Sequence, residues 1–292
     1  MRYGIALPNF TSVASEEAIE AAADVAERLG WDAVWTTDHV LVDRGEPAKD
    51  YRVNYDAIET LAWVGARHPN VRLGTSVIVV PQRNAVVLAK ELATLDALSG
   101  GRVIAGVGVG WNAKEFRNLG MSDRFPSRGT YLSEAIALWR HLWSGSTEPF
   151  HGKFHQIDDF VFGPLPPQGA SLPIWIGGRS EAALRRAGRL GDGYHASATG
   201  PETYAERLPT IRAAAEEAGR PMPALSARVR VEFGPARDAY YAMRGTAEDV
   251  TAEVRKFAEL GVEDLALSFV DIPSEQIVAG AERFAAEVAP RV

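Results

Sequence analysis

The sequence predicts an α/β protein of the (β/α)8 TIM-barrel class. Three observations carry that prediction. A short β-branched or apolar strand followed by a helix-length amphipathic stretch recurs eight times along the chain. Several of these strands, among them Val77 to Val80, Arg102 to Val107, Ile174 to Ile176 and Leu265 to Leu267, are apolar runs without alternation, as strands buried on both faces are. The length of 292 residues suits one barrel with modest insertions. A doubly wound open sheet produces similar runs, but eight units without a mid-chain reversal favour closure. In a barrel, chemistry gathers at the C-terminal ends of the strands, so position alone sorts candidate site residues from structural ones.

The elements follow in order. Strand 1 is Tyr3 to Leu7, and Pro8-Asn9 turns it over the rim. Helix 1 begins near Ser15, an N-cap with Glu16 and Glu17 in the first turn, and stops at Gly30. Strand 2 is Trp31 to Thr36, and a polar loop (Asp43 to Tyr51) leads to helix 2, Tyr55 to Arg67, closed by His68-Pro69. Strand 3 is Val71 to Val79, ended by Pro81. Helix 3 runs from Ala85 to Leu98, and Ser99-Gly100-Gly101 turns into strand 4, Arg102 to Gly108. Helix 4 is split into a short piece after Trp111 and a longer one from Tyr131 to Trp143. Residues 147 to 172 break the pattern with aromatic segments and Gly163-Pro164-Leu165-Pro166-Pro167. They read as a short insertion between helix 4 and strand 5: a hairpin and an extended segment. Strand 5 is Pro173 to Ile176, followed by Gly177-Gly178 and helix 5 to Leu190. Strand 6 is Tyr194 to Ala198 and helix 6 Pro201 to Gly219. Strand 7 is Leu225 to Phe233 and helix 7 Ala247 to Leu260. Strand 8, Asp264 to Phe269, precedes a final helix. No linker divides the chain, so residues 1 to 292 are expected to form one domain.

Composition excludes several functions. With a net charge of −7 there is no basic face for nucleic acid, and an acidic membrane surface is not an expected partner. The chain has no Cys, which removes disulfides, thiolate nucleophiles and zinc–thiolate sites. His68, His141, His151 and His155 lack metal-ligand spacing, and no Gly-x-Ser-x-Gly elbow is present. No signal-type or membrane-length apolar run occurs, so the expected location is the cytoplasm.

Three strand ends carry candidate chemistry. Asp38-His39 follows strand 2. His39 can move a proton near neutral pH, and Asp38 can orient a neighbour or hold a cofactor. Adjacent residues of an extended segment point to opposite faces, so the two need not act as a pair. Gly106-Val107-Gly108-Val109-Gly110 after strand 4 allows close backbone approach to a ligand, or else makes room for neighbouring side chains. Gly108-x-Gly110-x-x-Ala113 fits a permissive dinucleotide pattern, but no acid follows at the end of a next strand, which argues against it. Gly177-Gly178-Arg179-Ser180 at the start of helix 5 suits a phosphate, with an ordinary capped turn as the alternative. Asp96 to Arg102 lies at the opposite face and reads as stability. Arg185, Arg186 and Arg189 read as a solvated helix face.

Taken together, Asp38-His39, Gly74-Thr75-Ser76-Val77, Leu95-Asp96-x-x-Ser99-Gly100-Gly101-Arg102, Gly106 to Trp111, Ile174 to Gly178 and Gly191-Asp192-Gly193 resemble the bacterial luciferase-like monooxygenase superfamily. Phe116 to Arg128 and the shortened insertion resemble its coenzyme F420-dependent oxidoreductases of actinobacterial type. The resemblance covers essentially the whole chain. It implies a deazaflavin at the strand C-terminal ends, with FMN as the alternative cofactor. Thr75, Ser76 and Val77 would support the ring at an interruption of strand 3, often with a non-prolyl cis peptide, here Ser76-Val77. Asp38 would contact the cofactor, Gly108, Gly110 and Trp111 would line it, and Gly177, Gly178, Arg179 and Ser180 would hold its phosphate. His39, with Asp38, would be the catalytic group. The chain departs from the similar sugar-phosphate dehydrogenases, which carry a Glu where Trp111 stands and a Trp where Asp43 stands. Their acid/base set looks incomplete here. Trp111, with Trp35 nearby, suggests an apolar pocket for a flat or lipophilic substrate. The expectation is therefore hydride transfer between deazaflavin C5 and a small organic substrate, reducing an activated double bond, by a homodimer. The alternative is a monooxygenase using reduced FMN from a partner reductase.

Overall fold

Eight parallel strands close into a barrel: β1 (Arg2–Ala6), β2 (Ala33–Thr36), β3 (Arg72–Thr75), β4 (Val103–Gly108), β5 (Ile174–Gly177), β6 (Gly193–Ser197), β7 (Ala224–Glu232) and β8 (Asp264–Ser268). Each pairs with the next, and β8 pairs with β1 to complete the ring. The computed structural model describes residues 1–45, 53–234, 241–269 and 272–292, so most of the polar loop expected at Asp43 to Tyr51 lies outside the described residues. The helices are α1 (Glu16–Arg28), α2 (Ala57–Arg67), α3 (Ala85–Ser99), α4 (Ala113–Asn118), α5 (Arg128–Trp143), α6 (Glu181–Leu190), α7 (Pro201–Glu217), α8 (Ala247–Glu259) and α9 (Ser274–Glu287).

Local chemistry sets the helix starts. Ser15, Asp56, Asn84, Asn112 and Ser180 each accept a first-turn N–H, and Thr246 forms a capping box with Asp249. Each such cap is worth about 1 kcal/mol. The insertion holds a short antiparallel pair, Phe150–His151 with Gln156–Ile157. It is tied to α5 by Glu134, which accepts the N–H groups of Lys153, Phe154 and His155. At the N-terminal face, Arg102 donates to the carbonyls of Gly65, His68, Val71 and Ser99, and buried Asp96 accepts from Val103 and Gln168. This motif is structural, as its position implied.

The structure differs from the expected elements at two places. Strand 3 does not run through to Val79. It stops at Thr75 and, as the family resemblance implied against the unbroken apolar run, a cis peptide joins Ser76 to Val77; Ile78–Val79 then pairs separately with β4. A short strand, Ala242–Arg244, extends the sheet beside β7, which runs to Glu232.

The barrel interior is a small cluster of Ala33, Trp35, Ile104, Trp175 and Ala266, with the ring of His195 stacked on Trp35 at 4.7 Å. Glycines on neighbouring strands make room for it: a Cβ at Gly74 would lie 2.2 Å from Trp35, and one at Gly193 would lie 2.5 Å from Trp175. Above this layer a polar chain crosses the barrel. Ser226 Oγ lies 2.8 Å from His195 Nδ1, and His195 Nε2 lies 2.7 Å from Ser76 Oγ. Arg228 donates to the Ser76 carbonyl at 2.9 Å and to Thr37 Oγ1 at 2.5 Å.

Two predictions follow from this interior. A Cβ on Gly106 would lie 1.7 Å from the Thr75 carbonyl oxygen. Gly106→Ala should therefore lose about 3 kcal/mol in urea denaturation; an unchanged midpoint would contradict the close approach. Burial, assisted by the Arg228 charge, pushes His195 down to about 3. The unfolded chain takes up this proton near pH 6.5 while the folded protein stays neutral, so acid weakens the fold from that point downward. Between pH 7 and pH 5 this group should remove about 2 kcal/mol of stability. Unfolding titrations of wild type and His195→Gln measure it, and equal slopes would exclude His195 as the source.

Candidate active site

The C-terminal mouth of the barrel brings together the exits of β2, β3, β4 and β5. Asn9, fully buried after β1, ties the first of these in place. Its amide donates to the Thr37 carbonyl at 2.8 Å and accepts the Thr37 N–H at 2.9 Å. The two residues beyond Thr37 then diverge, as alternation requires. Asp38 turns toward the exit of β3: one oxygen accepts the Val79 N–H at 2.8 Å, and the other pairs with Arg83 at 2.7 Å. Arg83 also reaches Asp56, the N-cap of α2. Any cofactor contact by Asp38 must therefore share a carboxylate that already serves the protein.

His39 turns the other way. Its Nδ1 lies 2.9 Å from Glu115 Oε2, while Glu115 Oε1 accepts the N–H groups of Val40 at 2.7 Å and Leu41 at 3.2 Å. Burial alone would raise the Glu115 carboxyl. The hydrogen bond and charge of His39, with the Val40 N–H, outweigh it and hold the group below the ordinary carboxylate range. The Gln82 amide also faces this carboxylate and favours its charge, yet makes no hydrogen bond of ordinary geometry. Trp111 meets the His39 ring edge-on at 5.8 Å and is 47% exposed, and Val40 and Leu41 are also exposed. His39 thus sits at the wall of an apolar, accessible rim.

The interruption of β3 supplies the floor. Thr75 Oγ1 is bonded to the Gly106 carbonyl at 2.7 Å and Ser76 Oγ to His195, so neither side-chain oxygen is turned to the mouth unpaired. Val77 is half-buried. A Cβ at Gly108 would lie 2.6 Å from its Cγ2, and one at Gly177 2.9 Å from its Cγ1. These glycines flank Val77 because nothing larger fits, and the result is a low apolar shelf. Gly110, at φ +75°, plays the same part for Val79 and Phe116.

Beyond β5 the backbone passes through Gly178 at φ +128°, Arg179 and Ser180, all exposed, into the first turn of α6. Ser180 Oγ takes the Ala183 N–H. Tyr194 donates to the Gly178 carbonyl at 3.0 Å, and Arg207 bonds the Tyr194 hydroxyl and Thr199. Arg185 and Arg189 pair with Glu217, and Arg186 bonds Ser133, so these three belong to helix packing and the helix surface.

Sequence reasoning missed Glu115, Arg83, His195 and Arg228. Asn112-x-x-Glu115 reads as a capping pattern, which hides a carboxylate aimed at another element. Arg228-Val229-Arg230-Val231-Glu232, with its charges on alternate residues at the end of a barrel strand, was a legible signal. Trp35 is a correction: it was expected at the pocket, but it is 2% exposed and packed in the interior layer. Among the described residues, no His, Cys, Asp or Glu group is arranged to hold a metal ion, and no helix is long and apolar enough to cross a membrane.

Comparisons with known proteins agree with this architecture. An F420-dependent glucose-6-phosphate dehydrogenase of Amycolatopsis mediterranei is 33% identical over 228 residues, covering 76% of this chain and 66% of that protein. One from Kineococcus radiotolerans is 30% identical over 266 residues, covering 86% of this chain and 75% of its own length. The chain thus spans about two thirds to three quarters of these relatives. A solved F420-dependent secondary alcohol dehydrogenase, in complex with an F420–acetone adduct, superposes with a TM-score of 0.83 at 21% identity, covering 100% of this chain and 98% of that one, which shows the shared fold. The family model described as luciferase-like monooxygenase matches residues 1–261. The chain belongs to the luciferase-like monooxygenase family.

Proposed function

We propose that this protein is a coenzyme F420-dependent oxidoreductase acting on a flat or lipophilic organic substrate, and that it reduces an activated C=C or C=N bond. The observation that carries the reading is the preformed mouth: a Val77 shelf bounded by two glycines, with His39 on one side and the exposed Gly178-Arg179-Ser180 turn on the other. A flat ring fits a shelf whose flanking residues have no side chains. A phosphate fits the free amides, the guanidinium and the dipole at the start of α6. F420-dependent relatives at 33% and 30% identity support the choice of cofactor.

On this reading Val77, with Gly108 and Gly177 beside it, carries the ring, and Gly178, Arg179 and Ser180 hold its phosphate. The deazaflavin supplies hydride at C5. The chain's own work is to hold ring and substrate together, exclude water with Trp111, Val40 and Leu41, and handle one proton at His39. Among the described residues, the apolar walls beside His39 suit an unsaturated lipophilic substrate better than a sugar phosphate. We also propose that the protein is a homodimer. The exposed Val87, Leu98 and Val161 border a groove of about 530 Å³ between α2, α3 and the insertion, on the outside of the barrel.

Calorimetric titration with F420 and, separately, FMN tests the cofactor assignment. F420 should bind at least tenfold tighter, and Arg179→Ala should weaken it by about 1–3 kcal/mol. Tighter FMN binding would make the protein a flavin enzyme, and unchanged affinity would remove Arg179 from the site. His39→Ala should keep F420 affinity and lose turnover by about 100-fold or more. Full activity in that variant would end its catalytic role.

A further inference from the structure

The two oxygens of Glu115 are not equivalent, and the difference bears on which nitrogen of His39 carries a hydrogen. Glu115 is 1% exposed on the first turn of α4. Oε1 is fixed by two backbone donors, Val40 and Leu41, which cannot reverse their polarity. Oε2 faces His39 Nδ1 at 2.9 Å. Those two backbone donors favour the ionised carboxylate, and an ionised carboxylate can only accept. Nδ1 therefore carries a hydrogen, and neutral His39 presents Nε2 as an acceptor.

We propose that Glu115 is a positioning residue that locks His39 in the Nδ1–H tautomer, making Nε2 the atom that exchanges a proton with the substrate. This rests on the oxidoreductase reading above. In the reducing direction, a bound reduced deazaflavin would supply hydride to one atom of the substrate double bond. The proton leaves His39 Nε2 for the adjacent atom, the N–H electron pair stays on the ring, and the neutral Nδ1–H tautomer remains. In the oxidising direction the same Nε2 takes the proton lost by the substrate. Glu115 touches neither substrate nor cofactor. It acts only by setting the tautomer and facing the charge that His39 carries when both nitrogens are protonated.

The geometry makes one substitution diagnostic. In Glu115→Gln the carbonyl oxygen must stay at the Oε1 position, because two backbone N–H groups point at it. The new NH2 group then faces Nδ1 and forces the ring hydrogen onto Nε2, as the corresponding Asp→Asn change does in the serine protease triad. Glu115→Asp keeps an acceptor-only group.

The test is nitrogen NMR of the imidazoles in the full-length apoprotein, with His39→Gln assigning the signal, alongside turnover and F420 affinity. In neutral His39, wild type should show a protonated Nδ1 and a bare Nε2, and Glu115→Gln the reverse. The Gln variant should lose about 100-fold or more in kcat with F420 affinity within twofold, and Glu115→Asp should recover part of it. A bare Nε2 in Glu115→Gln, or kcat within threefold of wild type, overturns the proposal. Should that variant fail to fold, a protonated Nε2 in neutral wild-type His39 overturns it alone. The spectrum needs no cofactor, so absent F420 binding would remove the proposed function while leaving the tautomer result to stand or fall separately.

Discussion

The way the chain leaves β3 sets the rest of the mouth. The Thr75 carbonyl lies against the β4 backbone so closely that position 106 admits no side chain. Each following group is then held from a different strand: Ser76 Oγ by His195 on β6, the Ser76 carbonyl by Arg228 on β7, and the Val79 N–H by Asp38 after β2. With its neighbours fixed from three sides, Val77 is left half-buried, facing the mouth between two glycines. The shelf is thus part of the barrel's own hydrogen-bonding scheme, and it exists before any ligand arrives.

The same economy governs the charged groups. Asp38 and His39 are adjacent in sequence, yet Asp38 bonds Val79 and Arg83 while His39 turns to Glu115. Asp38 and Arg83 form a buried pair shared with the cap of α2, an arrangement in which loss of one partner costs several kcal/mol because the other charge stays behind. Arg228 lies beside a histidine kept neutral by its surroundings, so the polar chain across the barrel carries one cation rather than two. His39 has a carboxylate on one nitrogen and an apolar rim around it.

Much of this was legible in the sequence, for identifiable reasons. The β/α repeat and unbroken apolar strands specify a barrel because both features report burial directly. Ser15 as a cap and Asp96 to Arg102 as a structural corner also follow from local chemistry. The glycines were legible only as a choice between ligand approach and room for neighbours. Gly106, Gly108 and Gly177 prove to serve neighbours, and through them the shelf. Trp35 was misplaced because closeness to Asp38 in sequence outweighed its alternation, which turns it into the barrel. Glu115 stayed hidden because a helix-capping spacing and a carboxylate aimed at a distant histidine look identical in one dimension. The interruption of β3 after Thr75 came from the family resemblance and not from periodicity, because the contacts from β4, β6 and β7 that accompany it are encoded in no local pattern.

The most direct measurement is a crystal structure of the protein with oxidised F420 bound. The account predicts the deazaflavin plane resting on Val77 between Gly108 and Gly177, its phosphate at the Gly178 to Ser180 turn, and His39 facing the reactive side of the ring. A ring bound away from the barrel mouth, or a phosphate held elsewhere than at the start of α6, would contradict it.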